Sequence, residues 1–592
     1  MLRFIRTMRD NWLLIFLSLS LTILVMMPVI IFPYIDSGSY QGINIAHFGT
    51  DVHQYLARGK EVLEHHSLGN SVLHEGKDGQ DPYFSYAEKV MLAPVLILGL
   101  QDKIDIVSIY NLYNFVGVFF LLIVIYLFCF ELSSDKQLSI IASLFVVGGY
   151  SIIYNKALFF DDFNMYGRQI YPYVSSIFFF SHCLFLLRSC KVRDLKNDII
   201  AGVIFGASFY IYFYTWTFIA ASYFALIVVL ILRREFGLSK RVFASFCLGV
   251  ILGLYNVVSL FGFLRTSMGK QISYFAWSST GHQPIFSKIG FITMIIFAIN
   301  FWRLDDDKNR WFVLSLIITG WIALNQQILS GKMLQFGHYY WYFVVPVSIV
   351  LSLYLIWGLL PSKIYKELTF LFLTILVFLN TAVGQYRSTL TTVDAKKYEQ
   401  NYKPILNILN ADATDSVVLN SMDPSDSYLI PIYTNHDIFY AGSALLHNTD
   451  VQHLKDSLFL YIYLNKSARN SLNEFIENSL SNKNNLKYLN LYYNLEGLSS
   501  GFDYYDYMSR LQNNDPTVLV KRTTLINSLD KEYTDKFLKH KDGIVQLFSH
   551  YDIKYFVWDK NKDSEFDLSF LSSRITELSK NQGIYLYKYL AI

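Results

Sequence analysis

Four short stretches concentrate side chains able to do chemistry. In GTDVHQYLARGKE, residues 49–61, Asp51, Tyr55 and Arg58 recur at i, i+4 and i+7 and so share one face of a helix. Read plainly, Thr50 or Asp51 caps that helix and the rest is a solvated face. In NSVLHEGKDGQDPYFSY, residues 70–86, Glu75 and Asp81 are two acids in one loop, a general base and its orienting partner; such a base contributes roughly 10²–10⁴-fold. Asp81 before Pro82 is also a common turn pair. In FFDDFNMYGRQIYPY, residues 159–173, the adjacent Asp161 and Asp162 repel unless a cation compensates them, and Arg168 or a hard divalent metal would do so. Arg168, whose guanidinium binds two oxygens at once, also suits a phosphate. In LNQQILSGKMLQFGHYYWYF, residues 324–343, amides are followed by Lys332, His338 and Tyr339, either a pocket for phosphate and sugar hydroxyls or a snorkelling lysine in an aromatic belt. The segment 265–288 adds Arg265, Lys270, His282 and Lys288 with less specificity.

These stretches must be held by a membrane scaffold. The chain has 592 residues, 53% hydrophobic and 16% charged, with mean hydropathy +0.30, too apolar for an ordinary soluble protein. Net charge is +3 and no Lys/Arg cluster is dense enough for a nucleic-acid surface, so nucleic acid is not an expected partner. The cysteines Cys129, Cys183, Cys190 and Cys247 lie in or beside apolar runs, against disulfides and a thiolate metal site.

Hydrophobic runs predict about eleven spanning helices: 12–33, 105–130, 138–156, 172–190, 198–214, 217–232, 242–264, 287–302, 311–329, 341–360 and 367–384. The first is read as a retained helix, since no small-x-small cleavage site follows it. Basic residues at both ends of 198–234 predict a two-helix hairpin turning near Tyr214 to Trp216. With Arg3, Arg6 and Arg9 inside, the same rule places the N-terminus in the cytoplasm and the four chemical stretches on the outer face. The fold class expected is therefore a polytopic all-α membrane bundle, residues 1–390, followed by an extracytoplasmic α/β domain, residues 391–592. In the latter, 416–420, 437–441, 553–559 and 583–589 read as strands, and 394–411, 451–464 and 467–481 as helices. That domain shows no phosphate loop or nucleophile elbow, and its expected role is to hold an acceptor or cap the membrane part.

The pattern resembles the GT-C superfamily of integral-membrane glycosyltransferases, which includes oligosaccharyltransferase catalytic subunits, protein O-mannosyltransferases and lipid A aminoarabinose transferases. The resemblance rests on TDVHQYLARGKE, on the acids of EGKDGQDPYFSY, on FFDDFNMYGRQIYPY and on NQQILSGKMLQFGHYY, and covers about residues 1–390. It implies a sugar donor carried on a polyprenyl phosphate, transfer to a glycan, lipid or protein acceptor, and inversion at the anomeric carbon. It implies Asp51 as the first-loop catalytic acid, Asp81 or Glu75 as its partner, and Asp161 and Asp162 as ligands of a divalent cation, Mg or Mn. Arg168, Gln169, Lys332, His338 and Tyr339 would then hold the donor phosphate and sugar. Neither acidic stretch shows the acid-x-acid pattern of the family. The location implied is a bacterial-type cytoplasmic membrane, with membrane lipids as further partners. Rival readings are an O-antigen polymerase or ligase, a transporter of lipid-linked glycans, and a scaffold whose tail binds a partner. A transporter is disfavoured because the spanning runs are nearly free of charge.

Overall fold

A computed structural model of the chain describes residues 11–46, 50–279, 282–304, 307–421, 427–442, 447–540 and 543–590. Arg3, Arg6, Arg9 and Gly49 lie outside the described residues, as does the Thr50 side chain and with it the Thr50 cap, while Asp51 sits inside Thr50–Leu63 in its first turn and not at its cap. Among the described residues, seven helices are long and apolar enough to cross a membrane: Ile106–Ser133, Tyr173–Val192, Phe213–Leu232, Phe236–Leu264, Lys308–Ser330, Phe336–Trp357 and Lys363–Gln400. The pair Trp12–Val25 and Met27–Ile35 is long and apolar enough only when taken together, and it is bent by 51° where Pro28 lies in the first turn of the second helix, as a broken span or a re-entrant loop. This is a multi-pass membrane protein.

The eleven predicted segments all fall on helix, but three of them are too short to span alone. Lys136–Gly148, Leu195–Ser208 and Lys288–Asn300 have 13, 14 and 13 residues, about 20 Å of helix against an apolar thickness near 30 Å. The predicted 198–234 hairpin is present, with its turn at residues 209–212, slightly earlier than expected. Short acidic turns start several helices. Asp105, Asp135 and Asp194 accept the backbone N–H of Ser108, Leu138 and Asn197, while Ser134 and Arg193 take left-handed conformations that end the preceding helices. At that end of the bundle the acids are matched pairwise: Glu131 with Arg188 at 2.8 Å, Glu235 with Arg193 at 2.9 Å and Asp198 with Arg241 at 2.7 Å.

The helix Lys363–Gln400 has 38 residues, about 57 Å at 1.5 Å per residue, nearly twice what a bilayer core needs. It therefore runs without a break through the predicted boundary at 390. Beyond it lies a five-stranded sheet built from β3 (Val417–Asn420), β4 (Asp437–Ile438), β5 (Ile553–Asp559), β6 (Ile575–Asn581) and β7 (Ile584–Tyr589). A separate hairpin pairs β1 (Trp277–Ser279) with β2 (Lys332–Leu334). The sheet order is β4-β3-β5-β7-β6, parallel across β4, β3 and β5 and antiparallel across β5, β7 and β6. Four of these strands match the expectation; β6 does not, because ITELSKN is an edge strand with mostly exposed side chains and carries no apolar alternation.

Two joints tie the sheet to the membrane part, and a third fastens the long helix to the segment after the first helix pair. Tyr398 and Tyr402, near the end of the long helix, donate to the buried Asp559 at 2.6–2.7 Å. The Gln400 side chain accepts from the N–H groups of Gln41 and Ile43. Along the open edge of β4, the Ile438 N–H donates to the Val72 carbonyl at 2.9 Å, which ties the loop after Thr50–Leu63 to that edge.

Candidate functional site

The loop that carries Arg168 runs from residue 155 to 172 and is held by amides projecting from two spanning helices. Asn380 accepts the Phe159 N–H at 2.8 Å, and Gln385 accepts the Asn164 N–H and donates to the Asp162 carbonyl, each at 3.2 Å. From the other side Asn114 donates to the Gly167 carbonyl at 2.9 Å. Amides are costly in apolar helices unless paired, and here they pair with a backbone that has no ladder of its own. The loop is thus fixed at several points up to the residue before Arg168.

Arg168 meets Asp51 across this arrangement, its Nη2 donating to Asp51 Oδ2 at 2.9 Å. The two side chains differ in exposure: Arg168 is 18% exposed and Asp51 63%. Burial works against the Arg168 charge, but its surroundings outweigh it and keep the guanidinium protonated, the charged partner among them being Asp51. Behind the pair stands a wall of rings. Tyr55 packs on Tyr171 at 5.3 Å, Tyr171 stacks on Tyr212 at 4.4 Å, and His338 lies among Tyr212, Tyr214, Trp341 and Tyr342 at 4.6–6.1 Å. Burial, followed by the nearby Asp51, raises the Tyr55 hydroxyl well above its usual range, so it remains a neutral phenol.

Several buried polar atoms here have no hydrogen-bond partner: Arg168 Nε, His338 Nδ1, and both the amide nitrogen and oxygen of the fully buried Gln169. Buried polar atoms are normally satisfied, and a group of them beside an exposed carboxylate is the signature of a site that a ligand or water completes. Arg168, Asp162, Trp341 and Tyr342 also line one cavity of about 180 Å³ that reaches Asn380 and Gln385.

Asp81 is used differently. Arg58 donates from Nη1 and Nη2 to its two oxygens at 2.9 Å each, and from Nε to Glu88 at 2.6 Å. The Asp81 oxygens also accept the N–H groups of Tyr83 at 2.9 Å and Ser85 at 3.1 Å. Arg58 is 2% exposed, so the expectation of a solvated face is overturned at this position. Its charge is desolvated and returned in full by two carboxylates. Ser85 then links Glu88, at 3.1 Å, to the Tyr171 hydroxyl, at 2.8 Å, joining this framework to the ring wall. Glu75 makes a short contact with His453 of the C-terminal domain.

Tyr339 bonds Thr217 at 2.8 Å. Lys332 begins β2 and lines another hollow, of about 860 Å³, between the helix Ser267–Ala276, which carries Lys270, and the C-terminal domain at Asp450 and Asp503. Asp161 and Asp162 are exposed, and Asp162 Oδ1 accepts its neighbour's N–H, that of Phe163, at 2.8 Å. Arg168 pairs with Asp51 and not with them. Among the described residues no third His, Cys, Asp or Glu joins them in a metal-sized group. As they stand, the two do not fit a resident divalent cation.

Sequence reasoning missed Tyr342, Glu88 and Lys396. Lys396, on the long last helix, is 2% exposed, and its ammonium has no hydrogen-bond partner, lying instead 5.2 Å from the Phe32 ring and 5.6 Å from that of Phe163. An acid at the head of an apolar helix, as in AEKVMLAPVLI, was the one signal available for Glu88. Tyr342 and Lys396 carried none.

No protein-family model matches the chain, and no curated protein matches it. Among solved structures it is similar to ArnT from Cupriavidus metallidurans bound to undecaprenyl phosphate, at 10% identity and a TM-score of 0.48, over 98% of each chain. It is also similar to the archaeal oligosaccharyltransferase AglB from Archaeoglobus fulgidus in complex with an inhibitory peptide and a dolichol-phosphate, at 10% identity and a TM-score of 0.44, over 93% of this chain and 70% of that one. The Archaeoglobus fulgidus oligosaccharyltransferase in complex with Zn and sulfate gives 10% identity and a TM-score of 0.43, over 91% and 68%.

Proposed function

We propose that the chain is a GT-C-type glycosyltransferase that moves a sugar from a polyprenyl-phosphate donor to a glycan, lipid or protein acceptor on the outer face of the membrane. The observation that carries this reading is the Asp51–Arg168 pair: an exposed carboxylate and a largely buried cation, side by side, with unspent polar atoms of Arg168 and His338 beside them and those of Gln169 at the next position in the chain. A single displacement at a sugar phosphate uses a base on one face of the sugar carbon and an anion-binding group on the other, so the Asp51–Arg168 pair opens to admit the sugar between them. Asp51, with Oδ1 outside the ion pair, takes the proton of the acceptor hydroxyl or amide as that atom attacks the anomeric carbon. The bond from the anomeric carbon to the phosphate oxygen breaks with its electron pair, and polyprenyl phosphate leaves. Arg168 supplies positive charge to that leaving group, and Gln169 and His338 supply hydrogen-bonding atoms. Attack opposite the phosphate inverts the sugar carbon. Asp81, clamped by Arg58, acts through the framework, and Tyr339 stands behind His338. No step is routed through a cation at Asp161 and Asp162.

In this reading the hollow with Lys270 and Lys332 receives acceptor, and the outer domain begins near residue 390, part-way along Lys363–Gln400. The basic inner turns support an orientation with the N-terminus inside and the sheet outside. The test is Asp51→Asn: transfer should be lost while the protein remains folded in the membrane. Unchanged glycan, lipid and protein products by mass spectrometry, in cells whose only copy is the variant, would sink the proposal.

A further inference from the structure

Ten residues beyond Asp51 on the same helix, about 15 Å along its axis, a second group of ligating side chains comes together. One ligand atom each of Glu61, Glu64 and His66 lies within 4.8 Å of the others. Glu61 and Glu64 are one turn apart on Thr50–Leu63 and its last residue's neighbour, and His66 follows where the chain leaves the helix. Glu61 is 2% exposed; its Oε1 accepts from Lys77 at 3.0 Å, and its Oε2, also buried, has no partner. Lys77 is shared, since its ammonium is also 3.0 Å from the buried Asp437 of β4. Lys77 therefore serves two buried carboxylates, and Asp437 also meets His74 at 3.1 Å, so Glu61, with its second oxygen unpartnered, is the less compensated of the two. Glu64 pairs with Lys60 at 2.8 Å, but both are partly exposed, and such a surface pair is worth little. Asp78, 85% exposed, is 4.0 Å from His66 Nδ1 and within reach as a further ligand.

We infer that Glu61, Glu64 and His66 form a divalent-cation site, structural in role, that accepts zinc-like ions. Two carboxylates and an imidazole make a donor set that suits zinc better than magnesium, which prefers oxygens and bound water. The charges then balance: the cation is neutralised by Glu61 and Glu64, Lys77 keeps Asp437, and Lys60 turns to solvent. The consequence is mechanical. The loop that follows His66 docks on the C-terminal domain through Val72 against Ile438 and through Asn448 to Gln80, so a cation here fastens the Asp51 helix to that loop.

The experiment uses the full chain in detergent, stripped with a chelator, reloaded with zinc chloride and desalted. Bound zinc is counted by mass spectrometry of the elements, and thermal unfolding is followed in parallel. About one zinc per chain is expected, with a higher unfolding midpoint. His66→Gln and Glu64→Gln, both at partly exposed positions, should each weaken retention at least about tenfold. The double variant Asp161→Asn, Asp162→Asn should retain zinc fully. No zinc retained by the wild type, zinc unaffected by His66→Gln and Glu64→Gln, or zinc lost in the Asp161/Asp162 variant would each overturn the assignment. None of these readouts depends on glycosyl transfer.

Discussion

The segment between Met27–Ile35 and Ile106–Ser133 contains two aspartates that each face an arginine, and the two pairs are built in opposite ways. Asp81 and Arg58 are joined by two parallel bonds, with Glu88 on the third nitrogen and two backbone N–H groups on the acid. Nothing in that set is left over for a substrate. Asp51 and Arg168 share one bond, with the acid open to solvent and the arginine carrying an unpaired buried Nε. Equal residue types thus give a clamp in one place and a responsive site in the other. What decides between them is how many of the acid's lone pairs the fold has already used.

The largest effect expected on that contrast comes from Arg58→Met. It strands Asp81 and Glu88 as buried carboxylates without a cation, and breaking a buried pair from one side costs about 3–5 kcal/mol. Size-exclusion profiles in detergent should show little folded protein, whereas a well-folded variant would mean that the clamp is not what holds the loop. Asp51→Asn should do the reverse, with transfer falling by at least about 10²-fold and the unfolding midpoint falling much less than in Arg58→Met, because one bond to a solvent-exposed carboxylate is lost and not three from a buried arginine. If Asp81→Asn lowered turnover as much as Asp51→Asn with no loss of stability, the distinction between clamp and site would collapse.

Lys396→Met gives a smaller effect and sharpens the rule from the other side. This ammonium is buried against rings, without a hydrogen-bond acceptor, so its desolvation is poorly offset and the methionine should leave the unfolding midpoint unchanged or raised. A clear drop would show that the Phe32 and Phe163 faces compensate the charge in full. The smallest effect is expected at His74, which is 3.1 Å from Asp437 and 42% exposed. The hydrogen bond to Asp437 raises its pKa above the ordinary value, against an opposing effect of burial. A raised folded pKa stabilises below about pH 6.5, the unfolded value, and that contribution is lost as pH rises through the folded value. Between pH 6 and pH 8.5 the wild-type midpoint should therefore fall relative to that of His74→Gln. Parallel curves would remove His74 from the joint between loop and sheet.

Much of the architecture could be read in advance because apolar length is a local property. Each spanning run carries its own signal, and the basic turns carry another. The same local reading failed for the length of the 38-residue last helix, whose polar outer part docks on the sheet, and for β6, whose exposed faces leave no alternation. It also misjudged Arg58. Its spacing from Asp51 is that of a shared helix face, yet the side chain is buried, because Glu88 arrives from a helix 30 residues away. The Asp81–Pro82 turn was legible, and Asp81 does accept N–H groups of its own turn.

By itself the sequence determined that the chain crosses a membrane many times, that a small α/β sheet follows, and which short stretches carry the acids and cations. Those are consequences of composition and period, which any window of the chain displays. Only the tertiary structure decided which arginine meets which acid. Arg168 lies 117 residues from Asp51 and Arg58 only 23 from Asp81, and a window containing one partner holds no information about the other. The choice between clamp and open site is settled by burial and by the count of unspent hydrogen-bonding atoms, and both exist only once distant helices have packed.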